Sequence, residues 1–331
     1  VIPSGKLPKY SYIPELNEKI AEMVAGLNSG QVFLVNQAQD FNWQDYTVHD
    51  KVHPNKAGAE KMATVWFEAL KKVLASSETV FSPEIVRYKT LEDGDSLALH
   101  IFKPRNMQAG EKRPAIVYFF GGGWKLGTPI QFYRECAYYA SKGMVAVSVD
   151  YRIGYLHHST PFESFEDAKD AICWLRSHAS DYQLDPDKIA VAGGSAGGHL
   201  AAALGTIGSD ETVPAGYRPN LSVLYYPVID MVSRGYGFPE IKRDFEKISP
   251  IHHVSEATPS TLILLGTKDP IVSVETIEAY QDKLLQKGVD CELHLFEGAG
   301  HPIFLYRKPL TEEYYKVRKL TDDFLKRQGF L

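Results

Sequence analysis

Cysteine is scarce, with three residues in a chain of 331. An odd, sparse set, Cys136, Cys173 and Cys291, argues against a disulfide framework and for reduced thiols buried in apolar surroundings. No Cys-x-x-Cys pair and no His-Glu-x-x-His helix is present, so no metal and no cofactor is expected. No apolar run approaches the roughly 18 residues that a membrane-spanning helix needs. Charge of one sign is not in large excess either. A net charge of −5 offers no electrostatic footprint for nucleic acid or an anionic membrane. Val1 is followed by no basic and apolar leader, so no signal peptide is expected within the chain, which fits the cytoplasm or secretion after processing. The sequence leaves the oligomeric state open.

Glycine is concentrated in a few places. Gly193-Gly194-Ser195-Ala196-Gly197-Gly198 follows the apolar run Lys188–Ala192 and precedes the helix-forming run His199–Leu204. Its core reads Gly-x-Ser-x-Gly on a strand-to-helix turn, the setting in which a serine hydroxyl is held out as a nucleophile. A glycine-rich strand-to-helix turn that binds phosphate is the alternative reading. A nucleophilic serine needs a base, and the base needs an orienting acid. The chain supplies Asp269 just past the apolar strand Thr261–Leu265, and His301 on the loop Glu297-Gly-Ala-Gly-His301 after the strand Cys291–Phe296. Asp269 also reads as a cap for a helix starting near Val272. His294, near the middle of its strand, reads as structural. Gly121-Gly122-Gly123-Trp124 follows the apolar run Pro114–Phe120. The amides of Gly121 and Gly122, with that of Ala196, are the expected oxyanion donors, each worth on the order of 3 kcal/mol in a transition state. Trp124 suits either the wall of an acyl pocket or the core.

From Pro83 onward strands and helices alternate, which predicts an α/β fold with a mostly parallel sheet covered on both faces. Expected elements include paired strands Glu84–Lys89 and Ser96–Lys103, helices Gln131–Lys142 and Phe165–Ser180, an elbow helix Ser195–Ile207 and helices Val274–Lys287 and Leu310–Arg327. Residues 227–259 break the rhythm and read as a small lid or as a plain surface excursion. Arg152 reads mainly as an ion-pair partner for Asp167 or Asp170, and secondarily as a substrate contact.

Together, Phe120-Gly-Gly-Gly-Trp124, Ser148-Val-Asp-Tyr-Arg152, Asp185-Pro-Asp-Lys-Ile189, Gly194-Ser-Ala-Gly-Gly-His199, Asp269 and His301 resemble the α/β-hydrolases of the hormone-sensitive-lipase-like and carbohydrate-esterase-like groups. The resemblance runs from about Pro83 to the C-terminus and implies the α/β-hydrolase fold with a Ser195, Asp269, His301 triad. One departure is Phe120, where the family carries histidine before the three glycines. The implied activity is carboxylic-ester hydrolysis through an acyl-enzyme. Short acyl groups, including acetyl or feruloyl esters of plant polysaccharide, are the expected substrates. An arylformamidase-like amidase and a non-catalytic binding module on the same scaffold are the alternatives.

Residues 1–77 stand outside this rhythm. They suit a helix over Tyr12–Leu27, a short strand Gln31–Val35 and a helix Ala59–Leu74 with Met62, Trp66, Leu70 and Val73 on one face. The block Val48-His-Asp50-Lys-Val-His53-Pro resembles the last catalytic block of SGNH (GDSL-type) hydrolases, in which Asp50 would orient His53. That family's Gly-Asp-Ser block is missing here. The segment is therefore expected to be a vestigial appendage, packed on the hydrolase domain or a neighbouring chain, with His53 idle; alternatively it roofs the pocket of Ser195.

Overall fold

The computed structural model describes residues 12–26, 34–38, 40–49, 53–76, 82–105, 107–108, 110–208, 215–231, 244–305 and 310–331. The chain divides into two compact units, Val1–Val80 and Phe81–Leu331.

In the first unit, helix α1 spans Ile13–Gly26, a four-residue turn α2 spans Trp43–Tyr46 and helix α3 spans Lys56–Ser76. The Asn55 side chain accepts the Gly58 amide at 2.9 Å, so this asparagine caps α3. Of the expected strand Gln31–Val35, residues 31–33 lie outside the described residues, and Leu34 and Val35 are not in a strand. The α3 apolar face is not sealed: Trp66 and Leu70 are 48% and 50% exposed.

The second unit holds, among the described residues, one eight-stranded sheet in the order β1-β2-β4-β3-β5-β6-β7-β8. Its strands are β1 Glu84–Thr90, β2 Ser96–Phe102, β3 Arg113–Phe119, β4 Val145–Val149, β5 Leu184–Gly194, β6 Leu221–Tyr225, β7 Ser260–Gly266 and β8 Cys291–Phe296. β1 and β2 form an antiparallel hairpin closed at Asp93-Gly94, β2 joins β4 antiparallel, and all later pairings are parallel. Strands β4 and β6 are buried at every position. Parallel strands covered on both faces carry continuous apolar runs of this kind.

The second unit's helices are α4 Tyr133–Ser141, the short α5 Gly154–His157, α6 Pro161–Ser177, α7 Ala196–Thr206, α8 Val274–Gln286 and α9 Glu312–Arg327. Helix α6 starts four residues before the position its apolar periodicity predicts. Thr160 and Glu163 form a reciprocal capping box ahead of it, with Pro161 in its first turn. Cys136 and Cys291 are buried as expected, but Cys173 is exposed, which corrects the sequence reading. It falls off the stripe Ala168, Ala171, Ile172 and Leu175 that α6 buries. The three thiols are free.

The strand order explains where a site forms. After β3 the chain crosses to β4 on one side, and after β5 it crosses to β6 on the other. The loops following β3 and β5 therefore diverge, which opens a crevice at the carboxyl ends of these two neighbouring strands. The glycine loop from Gly121 follows one of them, and Ser195 follows the other.

Candidate active site

Ser195 sits between β5 and α7 with φ 56° and ψ −118°, a strained backbone that costs of order 1–3 kcal/mol. Its amide donates to Tyr225 O at 3.0 Å and its carbonyl accepts His199 N at 2.9 Å, which hold the turn. Gly197 is needed for close approach, since a β-carbon there would stand 2.0 Å from Phe119 O. The elbow thus meets the end of β3 directly.

Asp269 and His301 come from loops that are laced together. Thr267 N donates to Phe296 O at 3.0 Å, Lys268 N to Ala299 O at 2.9 Å, and Gly298 N to Thr267 Oγ1 at 2.8 Å. His301 Nδ1 lies 2.6 Å from Asp269 Oδ2, and His301 Nε2 lies 2.8 Å from Ser195 Oγ. The three side chains are shielded: Ser195 is 7% exposed, and the His301 and Asp269 side chains are 14% and 0% exposed. A carboxylate at Nδ1 fixes the tautomer in which Nε2 is free to take the serine proton. Asp269 does not cap α8, which corrects the capping reading: its Oδ1 instead holds the preceding turn, accepting Ile271 N at 2.8 Å and Val272 N at 3.0 Å. One oxygen serves the loop and the other faces the imidazole. The side chain that caps α8 itself is Ser273.

The glycine loop lies against this relay. A β-carbon on Gly121 would stand 3.5 Å from Ser195 Cβ. The Gly121 amide already has a partner, donating to Gln131 Oε1 at 2.6 Å. Among the described residues no hydrogen-bond partner is recorded for the amides of Gly122 or Ala196. Ala196 opens α7, whose first N–H groups have no intrahelical acceptor and carry the positive end of the helix dipole. Phe120, in place of the family's histidine, stacks on Tyr151 with centroids 4.0 Å apart, and Tyr151 donates its hydroxyl to Phe120 O at 2.6 Å.

Trp124 is 1% exposed, has φ 57° and meets His199 edge-on with ring centroids 5.1 Å apart. His199 is fully buried and donates from Nε2 to Ile248 O at 2.6 Å, which ties α7 to the 3-10 turn Phe245–Ile248; Nδ1 has no partner among the described residues. Burial pushes the His199 imidazole down to about 4. Because the unfolded chain binds that proton more tightly, the stabilisation present above about pH 6.5 is lost as pH falls towards 4. The expected loss is about 3 kcal/mol. Urea unfolding of wild type and His199→Gln at pH 7 and near pH 4 checks this: the variant should gain on wild type by about that amount as the pH drops. A difference independent of pH refutes it.

Sequence reading missed two neighbours. Tyr226 follows β6 at φ 39° and meets the His301 ring edge-on at 4.8 Å, and Gln131 reaches Gly121 from ten residues away. The strand end beside the elbow is the signal for Tyr226; no local pattern marks Gln131. Arg152 pairs with Asp167, Nε to Oδ2 and Nη2 to Oδ1 both at 2.8 Å, while Lys89 bridges Asp167 and Asp170. His294 contacts Glu292 at 3.4 Å and stands outside the relay. Asp50 lies outside the described residues; His53 is exposed, and its carbonyl accepts Val48 N at 2.9 Å. Of the 227–259 stretch, residues 232–243 lie outside the described residues. Its described ends are tied together, Met231 N to Ser249 Oγ at 2.9 Å and Ile251 N to Ile229 O at 3.1 Å. Among the described residues no cluster of three metal-ligating side chains occurs, and no helix is long and apolar enough to cross a membrane.

Residues 99–243 match the BD-FAE family. Esterase LipC of Mycobacterium tuberculosis is 28% identical over 63% of this chain and 57% of its own length. An acetylxylan esterase of Xylanibacter ruminicola is 26% identical over 64% of this chain and 44% of its own. The chain spans about half the length of the curated relatives it matches. Among solved structures, a thermophilic esterase of Thermogutta terrifontis, with propionate bound, superposes with a TM-score of 0.69. It is 37% identical over 75% of this chain and 95% of that one. The same esterase is also known phosphorylated by paraoxon. A strained serine at the switch point of a mostly parallel sheet, and a relative this similar across nearly its whole length, lead to one statement of kinship: the chain belongs to the α/β-hydrolase esterases.

Proposed function

We propose that this protein is a serine carboxylic-ester hydrolase working through an acyl-enzyme. The observation that carries the reading is the unbroken relay from Ser195 Oγ through His301 to Asp269, at 2.8 and 2.6 Å. Ser195 Oγ attacks the ester carbonyl carbon while its proton passes to His301 Nε2. Asp269 Oδ2 stabilises the imidazolium that forms. Backbone amides of the glycine loop and Ala196 receive the charge on the former carbonyl oxygen. The tetrahedral intermediate collapses, the carbon–oxygen bond to the alcohol breaks, and His301 returns the proton to the departing alcohol. Water then repeats the sequence on the acyl-enzyme and releases the acid and free Ser195.

Short-chain esters are the proposed substrate class, with acetyl or feruloyl groups on plant polysaccharide as the physiological candidates. The propionate bound to the Thermogutta esterase and the acetylxylan esterase among the relatives support that choice. A panel of p-nitrophenyl acetate, longer p-nitrophenyl esters, acetylated xylan and methyl ferulate tests it. Turnover should be greatest on short acyl groups and absent in Ser195→Ala; equal or greater turnover of long-chain esters rejects the class. An organophosphate such as paraoxon should modify Ser195 in a one-to-one ratio. No labelling would leave the non-catalytic alternative standing.

The first unit is read as an appendage whose SGNH-like pair, Asp50 and His53, does not turn over substrate. His53→Ala is expected to leave kcat/KM for p-nitrophenyl acetate within about twofold of wild type, the ordinary small effect of substituting an exposed side chain. A loss of a hundredfold or more in a folded variant would assign His53 a part in the chemistry.

A further inference from the structure

The amide of Gly121 is held by the side-chain oxygen of Gln131 at 2.6 Å. We propose that Gln131 is a positioning residue: it grips the glycine run and thereby sets the Gly122 amide beside that of Ala196, leaving these two as the donors that meet the oxyanion. The inference rests on the reading of Ser195 as the nucleophile.

The loop needs such a hold. Gly121, Gly122 and Gly123 run consecutively, and the left-handed region is occupied by Gly122 at φ 139°, Gly123 at 63°, Trp124 at 57° and Gly127 at 119°. Glycine backbone in these conformations has the most freedom to lose and gains no side-chain packing in return. The flanks are secured: Tyr151 reaches Phe120 O, Gly154 N donates to Trp124 O at 2.8 Å, and Tyr155 N donates to Lys125 O at 3.1 Å. Between those anchors, the side-chain hydrogen bond to the glycine run among the described residues comes from Gln131. Phe120 cannot supply one, because a phenyl ring neither donates nor accepts a conventional hydrogen bond.

Gln131 is itself well founded. It lies in a single 3-10 turn, Pro129–Phe132, and its amide bonds Thr128 O at 3.1 Å. Pro129 is buried, and its carbonyl accepts Ser148 Oγ from β4 at 2.7 Å. Phe132 is buried and stacks on Tyr118 of β3 with centroids 4.8 Å apart. The carboxamide is thus borne by a turn pinned to β3, which delivers the loop, and to its neighbour β4. An N–H already engaged at 2.6 Å must surrender that bond before serving a substrate oxygen, whereas the Gly122 and Ala196 amides have none to surrender among the described residues. Displacing a catalytic group by about 1 Å costs on the order of a hundredfold in rate, so a slack loop would show in kcat.

The test compares Gln131→Ala and Gln131→Leu for kcat, KM and Tm on p-nitrophenyl acetate. The alanine and leucine variants should lose about tenfold to a hundredfold in kcat with little change in KM or Tm. Leucine controls for the cavity that alanine leaves. Wild-type kcat in the leucine variant overturns the proposal. So does a leucine variant faster than wild type, which would mean that the Gln131 oxygen competes with substrate for the Gly121 donor. If wild type neither turns over esters nor takes up paraoxon on Ser195, the nucleophile assignment fails instead.

Discussion

Ser195→Ala is expected to lower kcat on p-nitrophenyl acetate by about a millionfold, with the fold retained. The methyl group of alanine fits where the serine side chain sits, and the elbow's backbone hydrogen bonds to Tyr225 O and His199 N do not involve the hydroxyl. What disappears is the oxygen that the proposed mechanism joins to the acyl group. In the proposed mechanism the three relay residues act as a unit, so removing His301 as well should cost little more: the double variant Ser195→Ala, His301→Ala should fall within about tenfold of Ser195→Ala alone. The remaining rate over water then measures what backbone donors and binding supply by themselves. Full additivity of the two losses would mean that serine and histidine act independently, contrary to the 2.8 Å contact between them.

Asp269→Asn should be the second most damaging change, with a loss of about 10⁴-fold in kcat and little change in KM. The division of labour between the two carboxylate oxygens makes this substitution informative. Oδ1 accepts the amides of Ile271 and Val272 at 2.8 and 3.0 Å, so an asparagine must keep its carbonyl oxygen there or abandon two hydrogen bonds. Its NH2 then takes the place of Oδ2 against His301 Nδ1. An NH2 donor requires Nδ1 to be the acceptor, which moves the ring proton to Nε2 and leaves nothing to receive the serine proton. Asp269→Ala would damage the loop as well as the tautomer, and so should lower Tm in addition to kcat. A variant Asp269→Asn with wild-type kcat would remove Asp269 from the mechanism.

Most of the scaffold was legible because it is built from strong local signals. The continuous apolar runs at Val145–Val149 and Ser260–Gly266 have no use except as buried strands, and the glycines around Ser195 mark a place where a helix begins directly against a strand end. The chain order of serine, acid and base followed from the same logic, each lying just beyond a strand's carboxyl end. Less legible were features set by partners distant in sequence. The Gln131 contact depends on how a 3-10 turn is pinned by Phe132 and Ser148, and neither residue announces that locally. Cys173 looked buried because its neighbours Ile172 and Leu175 are apolar, but helical geometry turns it away from them. The capping box Thr160-Pro-Phe-Glu163 was readable in principle, and shows that hydrophobic spacing alone places helix starts too late.

The reactive groups do not share one mechanical fate. The hydroxyl rides on β5, with partners on both sides in the middle of the array, whereas the imidazole hangs beyond β8, which borders β7 and nothing else in the order of strands. Peripheral elements open with less free energy than central ones. Warming should therefore extinguish turnover while far-ultraviolet ellipticity is still intact, the general base drifting away from an alcohol that has not yet moved.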